Sequence, residues 1–316
     1  MPETRPPLTV AGRPLDVLAA AIGERRTPPV DRWDPPLCGH SGMRIAASGT
    51  WYHDGMPIER PAMTRLFSTV LRRVRFIGDP LVRIAEDHLR ILRFFRFHAR
   101  FGQDEPDAEA LEACSARSND LMALSRERIA DELLKLLALP DPSATVALMI
   151  ERGIFRPVIP EIDSAARLRA LIAGENEAGF EPDALRRLSA LLPQDADLAQ
   201  AIAVRLKLSN RARRRIALAA ERDLSANARA LAYWIGTESA QDRLLLAAQP
   251  KDAATLNDWP VPRLPVTGGQ LIKRGVPQGP LVAKTLHAIE RDWVDAGFPT
   301  GEKFAALVAE ATRPYA

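Results

Sequence analysis

The segment Gly78-Asp79-Pro80-Leu81-Val82-Arg83-Ile84-Ala85-Glu86-Asp87-His88-Leu89-Arg90-Ile91-Leu92-Arg93-Phe94-Phe95-Arg96-Phe97 sets the character of everything around it. Asp79 can cap a helix and Pro80 suits its first turn. The apolar spacing that follows predicts one helix over 81–101, with Ile84, Ile91, Leu92 and Phe95 on the buried side. Arg83, Asp87 and Arg90 recur at i, i+4 and i+7, which places them on a single face of that helix. A carboxylate one turn from a guanidinium sets an acceptor beside a rigid fork of donors, and such a pair can read the Watson–Crick edge of a nucleobase. The plainer reading is a surface ion pair worth roughly 0.3–0.5 kcal/mol, and spacing alone favours it. Arg93, Arg96 and Arg100 extend the basic face, with Arg72, Arg73 and Arg75 before it, and Phe94, Phe95, Phe97 and Phe101 interleave. Cations alternating with rings can hold single-stranded RNA. A helix core is the commoner use of such rings, so most of them are expected to be buried.

Downstream, the chain reads as helix after helix. Segments near 107–115, 126–139, 143–152, 164–173, 183–192, 195–206, 209–223, 225–236, 238–248, 267–274, 279–296 and 301–312 carry helical spacing. Breaks are expected at Gly102, Pro140, Gly153, Pro193, Gly236, Pro250 and 260–265. Connections are short, so the helices should pack as antiparallel neighbours. Upstream the pattern changes. Thr27-Pro28-Pro29 ends any helix begun by Leu15 to Ile22, and Trp33-Asp34-Pro35-Pro36 is extended and turn-rich. Met43-Arg44-Ile45-Ala46 reads as a short strand. Thr50 to Ile58 reads as a hairpin turning at Asp54-Gly55, and Arg60 to Arg73 has helical spacing. The predicted fold class is mainly α, a multi-helix array behind a small β-rich N-terminal fragment of hairpin plus helix.

Length and composition agree. A chain of 316 residues with 47% hydrophobic content is long and apolar enough for packed cores. No apolar run of membrane-spanning length and no export signal are found, so a cytoplasmic protein is expected, with Cys38 and Cys114 as free thiols. A formal charge of +3 and a pI near 9.1 are compatible with nucleic acid, and the local distribution matters more than the total.

Three further motifs stand out. Ser125-Arg126-Glu127-Arg128-Ile129-Ala130-Asp131-Glu132-Leu133 is a capped helix start. Arg205, Lys207, Arg211, Arg213, Arg214 and Arg215 fall in a stretch without a single acid, which fits phosphate contact or a solvated face. From Pro265 to Val282, two helices are joined by Gly275-Val276-Pro277-Gln278-Gly279-Pro280. Gly275 ends the first, and Gly279 exposes N–H groups at the start of the second, a geometry suited to gripping phosphate without reading sequence.

Together, Val74 to Phe97, Ser125 to Leu133 and Pro265 to Val282 resemble the neck, body and tail of the class II tRNA nucleotidyltransferase and poly(A) polymerase family, which includes the bacterial CCA-adding enzymes. The resemblance covers about 74–316 and implies a neck over 74–163, a helical body over 164–250 and a tail over 251–316. It implies transfer of CMP and AMP from CTP and ATP to a tRNA 3′ end, with Mg²⁺, in the complete enzyme. Residue by residue, it implies base reading by Asp87 and Arg90, with support from Arg83, Glu86 and Arg93. His88 falls at a variable position, expected to be structural or exposed. Arg128 and Glu132 would brace the neck. Arg205, Lys207, Arg211, Arg213, Arg214, Lys273, Arg274, Gly275, Gly279 and Lys284 would contact the tRNA backbone on its acceptor and TψC side. Ala283 departs from the glycine many relatives carry.

The family's catalytic head supplies a metal-binding Asp-x-Asp after a glycine turn, because nucleotidyl transfer needs clustered carboxylates to hold its magnesium. Gly39-His40-Ser41-Gly42-Met43-Arg44 faintly echoes that turn, but no Asp-x-Asp occurs before residue 74. No catalytic residue, metal ligand or resident cofactor is therefore assigned. Residues 1–73 resemble instead the opening of an uncharacterised bacterial family, through 28–36 and 49–71, with a junction near 71–74. The expected function is a CCA-adding-like protein that keeps the tRNA-binding region and is inactive alone. The alternatives are a non-catalytic RNA-binding module, and one half of a split enzyme completed in trans by a separate head. A zinc site at Cys38, His40 and His53 has irregular spacing, and unrelated residues in a turn-rich region is the stronger reading.

Overall fold

The computed structural model describes residues 9–10, 13–14, 43–46, 50–59 and 74–315, apart from 103, 104, 222 and 225. The region expected to form a helix over 60–73 lies outside the described residues, as do Leu15 to Ile22, 33–36, Cys38 and His40. β1 (Thr9–Val10) pairs antiparallel with β2 (Arg13–Pro14). β3 (Met43–Ile45), β4 (Trp51–His53) and β5 (Met56–Pro57) form an antiparallel sheet in that order. The β4–β5 turn is the expected Asp54-Gly55, with φ of 48° and 81°. Positive φ at both central positions gives a two-residue hairpin the twist of its strands, which is why Asp-Gly serves there. Trp51 is buried and meets Phe101 edge-on, with ring centroids 6.4 Å apart.

The neck differs from expectation at one decisive point. The helix predicted over 81–101 is two helices, α1 (Pro80–Glu86) and α2 (Arg90–Phe101). Asp79 caps α1 by accepting from the N–H of Leu81 and Val82, with Pro80 in the first turn. At Asp87 the backbone turns extended, φ −155° and ψ 104°. The Asp87 carboxylate then accepts the N–H of Leu89 at 3.2 Å, and its carbonyl accepts that of Arg90. A short acidic side chain that bonds nearby backbone competes with helix continuation, and here it wins. Ile84, Leu89, Ile91, Leu92, Phe94 and Phe95 are all buried, so the apolar spacing predicted the core residues correctly although the helix is interrupted.

α3 (Ala108–Ala116), a 3₁₀ turn at Ser118–Ala123 that the sequence did not suggest, α4 (Arg126–Leu137) and α5 (Ser143–Glu151) complete the first group. α6 (Ala166–Ala178), α7 (Ala184–Leu191), α8 (Ala196–Arg205), α9 (Asn210–Ala220), α10 (Ala228–Ile235) and α11 (Thr237–Leu246) follow. Pro250, expected as a break, instead opens the short α12 (Pro250–Ala254), since proline is tolerated in the first turn. One continuous apolar core runs from Ile84 to Leu256. α13 (Gly268–Ile272), α14 (Pro280–Asp295) and α15 (Gly301–Thr312) close on two small clusters, one around Val266, Leu271 and Ile289 and one around Trp293 that is shared with Ala230 and Tyr233 of α10. Gly268 is required there, because a Cβ would stand 2.9 Å from Val282.

Buried charge ties the main core together. Glu175, at 1% exposure, accepts from Arg186 at 2.8 Å and from Arg187 at 2.9 Å. Arg187 also donates to the carbonyls of Leu137, Leu139 and Pro140, pinning α7 to the end of α4. Arg215 forks onto Asp242 at 2.6 and 3.0 Å and reaches Asp183 and Glu238. Charges held this deeply persist only when paired and fully hydrogen-bonded. Burial pushes the Cys114 thiol up to about 12, which leaves it inert.

Asp183 gives the network a pH dependence. It caps α7 through the Arg186 N–H at 2.9 Å and takes Arg215 at 2.9 Å. Burial opposes its charge, but these two partners prevail and hold the carboxyl below its ordinary range. An acid with a depressed folded pKa stabilises above its unfolded value and loses that contribution as pH falls through the folded one. Asp183→Asn keeps the cap and removes the charge. Thermal melts should therefore show the variant less stable than wild type at pH 7, with the gap closing as pH is lowered below about 4.

Candidate nucleobase-reading and RNA-binding site

The break at Asp87 reorganises the predicted face. Asp87 and Arg90 do not pair across one helix turn. Arg90 donates to Glu86 at 2.5 Å and to the Arg83 carbonyl at 2.7 Å, while Arg83 holds the same Glu86 at 2.8 Å. Asp87 takes Arg128 at 3.1 Å and lies 3.6 Å from Arg93. Two separate clusters thus stand where one helical stripe was expected. The Arg90 hydrogen bond leads in holding the Glu86 carboxyl below its ordinary range, against desolvation, with the charges of Arg83 and Arg90 adding to it.

Beneath them lies Glu132, at 2% exposure on α4. It accepts Arg96 at 2.7 Å and Arg93 at 3.4 Å. Ser125 caps α4, so the helix start that orients Arg128 and Glu132 is fixed locally. Arg96, predicted on an open basic face, is instead buried with Glu132 because α2 presses that face onto α4. Arg100 lies over the Phe101 ring at 5.3 Å. His88 is half-buried, 3.5 Å from Asp120.

A cavity of about 250 Å³ opens beside this cluster, lined by Val74 to Ile77, Arg83, Arg90, Arg93, Phe94 and Phe97. Phe76 and Phe94 stack at 5.7 Å along one wall. Among the described residues, no carboxylate lines it. Sequence reasoning missed Phe76 as a wall. The only available signal was an aromatic just before the Gly78 turn, and nothing in its spacing points inward.

The predicted backbone contacts divide into two groups. Arg205 is tied to Glu161 at 2.5 Å, Lys207 to Glu127 at 3.2 Å and Arg211 to Glu238 at 3.1 Å. Arg213 reaches Asn210 at 3.5 Å, and Arg214 is exposed. Arg215, counted in the basic cluster, is buried in the acidic network, because it points along the inward side of α9 toward α11. In the tail, Lys273, Arg274, Gly275, Gly279 and Lys284 are all exposed. Gly275 (φ 94°) and Gly279 (φ 125°) give the turn between α13 and α14 its shape, and buried Val276 anchors it. Among the described residues, no group of three or more His, Cys, Asp or Glu could hold a metal ion, and no helix is long and apolar enough to cross a membrane.

Residues 105–166 match the family described as "Probable RNA and SrmB- binding site of polymerase A". The mouse (Mus musculus) mitochondrial CCA tRNA nucleotidyltransferase 1 is 27% identical over 246 residues, covering 72% of this chain and 56% of the relative. The helical part of the chain is similar to members of the tRNA nucleotidyltransferase and poly(A) polymerase family. The fold agrees. The Thermotoga maritima CCA-adding enzyme complexed with tRNA aligns with TM-score 0.55 at 16% identity, over 81% of this chain and 68% of that one. The Bacillus stearothermophilus CCA-adding enzyme in complex with CTP aligns with TM-score 0.55 at 20% identity, over 84% and 72%. The chain spans a little over half the length of the curated relatives it matches. Residues 28–82 match the N-terminal domain of a family of unknown function, DUF1285, so that match runs past the expected junction near 71–74 and into α1.

The neck geometry makes Glu132 a structural hub for the site. Glu132→Ala removes the buried carboxylate that Arg96 and Arg93 share, and removing one member of a buried pair costs about 3–5 kcal/mol. Urea denaturation should register that loss.

Proposed function

We propose that this chain binds tRNA on its acceptor and TψC side through a neck (74–163), body (164–250) and tail (251–316), and reads a nucleobase at Asp87 and Arg90. The support is the similarity to that family together with the place of Arg90 on the wall of an arginine-rich, aromatic-walled cavity and of Asp87 against Arg93, another wall residue. Asp87 offers an acceptor and Arg90 a fork of donors. Cytosine and adenine both present an amino donor beside a ring-nitrogen acceptor, the complement of that pair; uracil and guanine present the opposite order. The nucleotides are therefore CTP and ATP, the ligands named for two CCA-adding enzyme structures of this fold. Arg128 and Glu132 brace the reader. Arg214, Lys273, Arg274 and Lys284 are the exposed cations for phosphate, with Arg205, Lys207 and Arg211 exchanging acidic partners for it and Arg213 exchanging Asn210.

We further propose that this stretch of chain does not transfer nucleotides by itself, because no Asp-x-Asp precedes the neck to hold the magnesium the reaction requires. A second reading, completion by a separate catalytic head, is favoured by Ile77, Leu81 and Val82, large apolar side chains exposed around the start of α1. Two measurements test these statements. Filter binding should show tRNA affinity falling steeply with salt, and Arg214→Ala or Lys273→Ala should each reduce the log–log slope by about 1. Unchanged slopes would remove the backbone assignment. Incubation with tRNA lacking its terminal adenosine, labelled ATP and Mg²⁺ should give no incorporation. Label appearing with the pure chain contradicts the proposal, and label appearing only after addition of cell extract selects the split enzyme.

A further inference from the structure

The main apolar core ends at Leu256, and α13–α15 pack around clusters centred on Leu271 and Trp293. The connection between them carries Pro260, Pro262 and Pro265. A group of rings joins the two parts. Phe298, just past the end of α14, meets Tyr233 of α10 at 5.6 Å, Trp259 at 5.5 Å and Trp293 at 5.0 Å. Trp259 in turn packs on the main core. Phe298 has φ of 61°, where a bulky side chain is strained and persists only if its surroundings impose the conformation. Glycine adopts that backbone freely, so the phenyl ring stays there through its three partners. Beside this plug, the Tyr233 hydroxyl donates to the Glu290 carboxylate of α14 at 2.6 Å. Burial, then the hydrogen bond and charge of Glu290, push that hydroxyl up to about 12, which keeps it a donor throughout the neutral range. The other Glu290 oxygen lies 3.5 Å from exposed His287.

We propose that Phe298, Tyr233 and Glu290 are positioning residues that dock α13–α15 against the preceding helices, so that Arg214 of α9 and Lys273, Arg274 and Lys284 of the tail grip one RNA at the same time. This rests on the phosphate-contact assignment above. Two grips held at a fixed spacing bind more tightly than two on a loose tether, because the second contact forms at a higher effective concentration. The three residues raise RNA affinity in this way without touching the RNA.

The test is filter binding of tRNA to the full chain. Tyr233→Phe/Phe298→Ala removes latch and plug together, and unchanged helical circular dichroism confirms that α14 and α15 persist. Trypsin reports the joint. Arg263 is exposed between the two parts, and Leu264 after it packs against both tail clusters. Cleavage at Arg263 should be slow in wild type and fast in the variant. The variant should bind tRNA about tenfold more weakly. In a background without the tail cations, Lys273→Ala/Arg274→Ala/Lys284→Ala, the same change should cause no further loss, since no second grip is left to align. Tyr233→Phe alone deletes one hydroxyl and should show the same pattern at smaller size; it decides the matter if the double variant loses helix. Equal losses in both backgrounds mark a purely structural role and overturn the inference. Resistance to cleavage in the variants overturns it as well, as does cleavage without loss of affinity. If the three alanine substitutions alone leave tRNA affinity unchanged, the phosphate-contact assignment falls, and this inference falls with it.

Discussion

The buried carboxylate of Glu132 is the contact on which the neck depends. It stands between α2 and α4 and gathers Arg96, itself buried, and Arg93, half-exposed. Burying an unpaired charge costs several kcal/mol, so wherever Glu132 is buried a guanidinium must follow it. That requirement fixes the rotation of α2 against α4. Once α2 is so turned, Arg93 faces Asp87 and Arg128 descends on Asp87 from the start of α4. The rim of the cavity is therefore set by an ion pair, Glu132 with Arg96, that does not itself line it.

The same logic explains why a chain with 43 basic and 40 acidic residues presents less open positive surface than its arginine content suggests. Arg96, Arg186, Arg187, Arg215 and Arg243 are all buried and spend their donors on carboxylates or on helix-end carbonyls. These guanidinium groups behave as structural rivets, because a planar fork can bridge two helices where a lysine ammonium supplies only a point charge. Exposed cations do occur at α9 and at the turn between α13 and α14, but others, such as Arg156, Arg169, Lys251 and Lys303, are scattered over the rest of the surface. A basic stretch in sequence is thus a poor proxy for a basic surface here. The helical periodicity of α9 separates Arg214 outward from Arg215 inward, although the two are neighbours in the chain.

That periodicity also marks what the sequence made legible. Long-range order came from apolar spacing and from caps. The N-caps at Asp79 and Ser125, the Asp54-Gly55 turn and the apolar positions of α2 were all readable, because each is decided within four or five residues. What escaped was decided by competition at single residues. Asp87 was read as one more helical position because its spacing fitted. Its side chain instead finds the Leu89 N–H, and the helix stops. Glu132 and Arg96 likewise look like ordinary amphipathic charges until α4 and α2 are brought together, thirty-six residues apart in the chain. Of the candidate site, the sequence offers Asp87 and Arg90 as candidates through the signature they stand in. Their separate partners, Arg128 and Glu86, depend on a break that spacing cannot show.

The N-terminal sheet adds a last constraint. Trp51, on its central strand, is buried and packs edge-on against Phe101 at the far end of α2. The N-terminal family match continues to residue 82, through Gly78 and the Asp79 cap of α1. Two unrelated sequence patterns therefore share one helix start and one aromatic contact. Trp51 holds the C-terminal end of α2, while Glu132 holds its middle and the Asp87 turn its beginning. A helix fixed at three points along its length has little freedom to rotate or slide. Arg90 and Arg93 then sit on a rigid rod, and the adjustable parts of the site are the long side chains of Glu86 and the arginines around it.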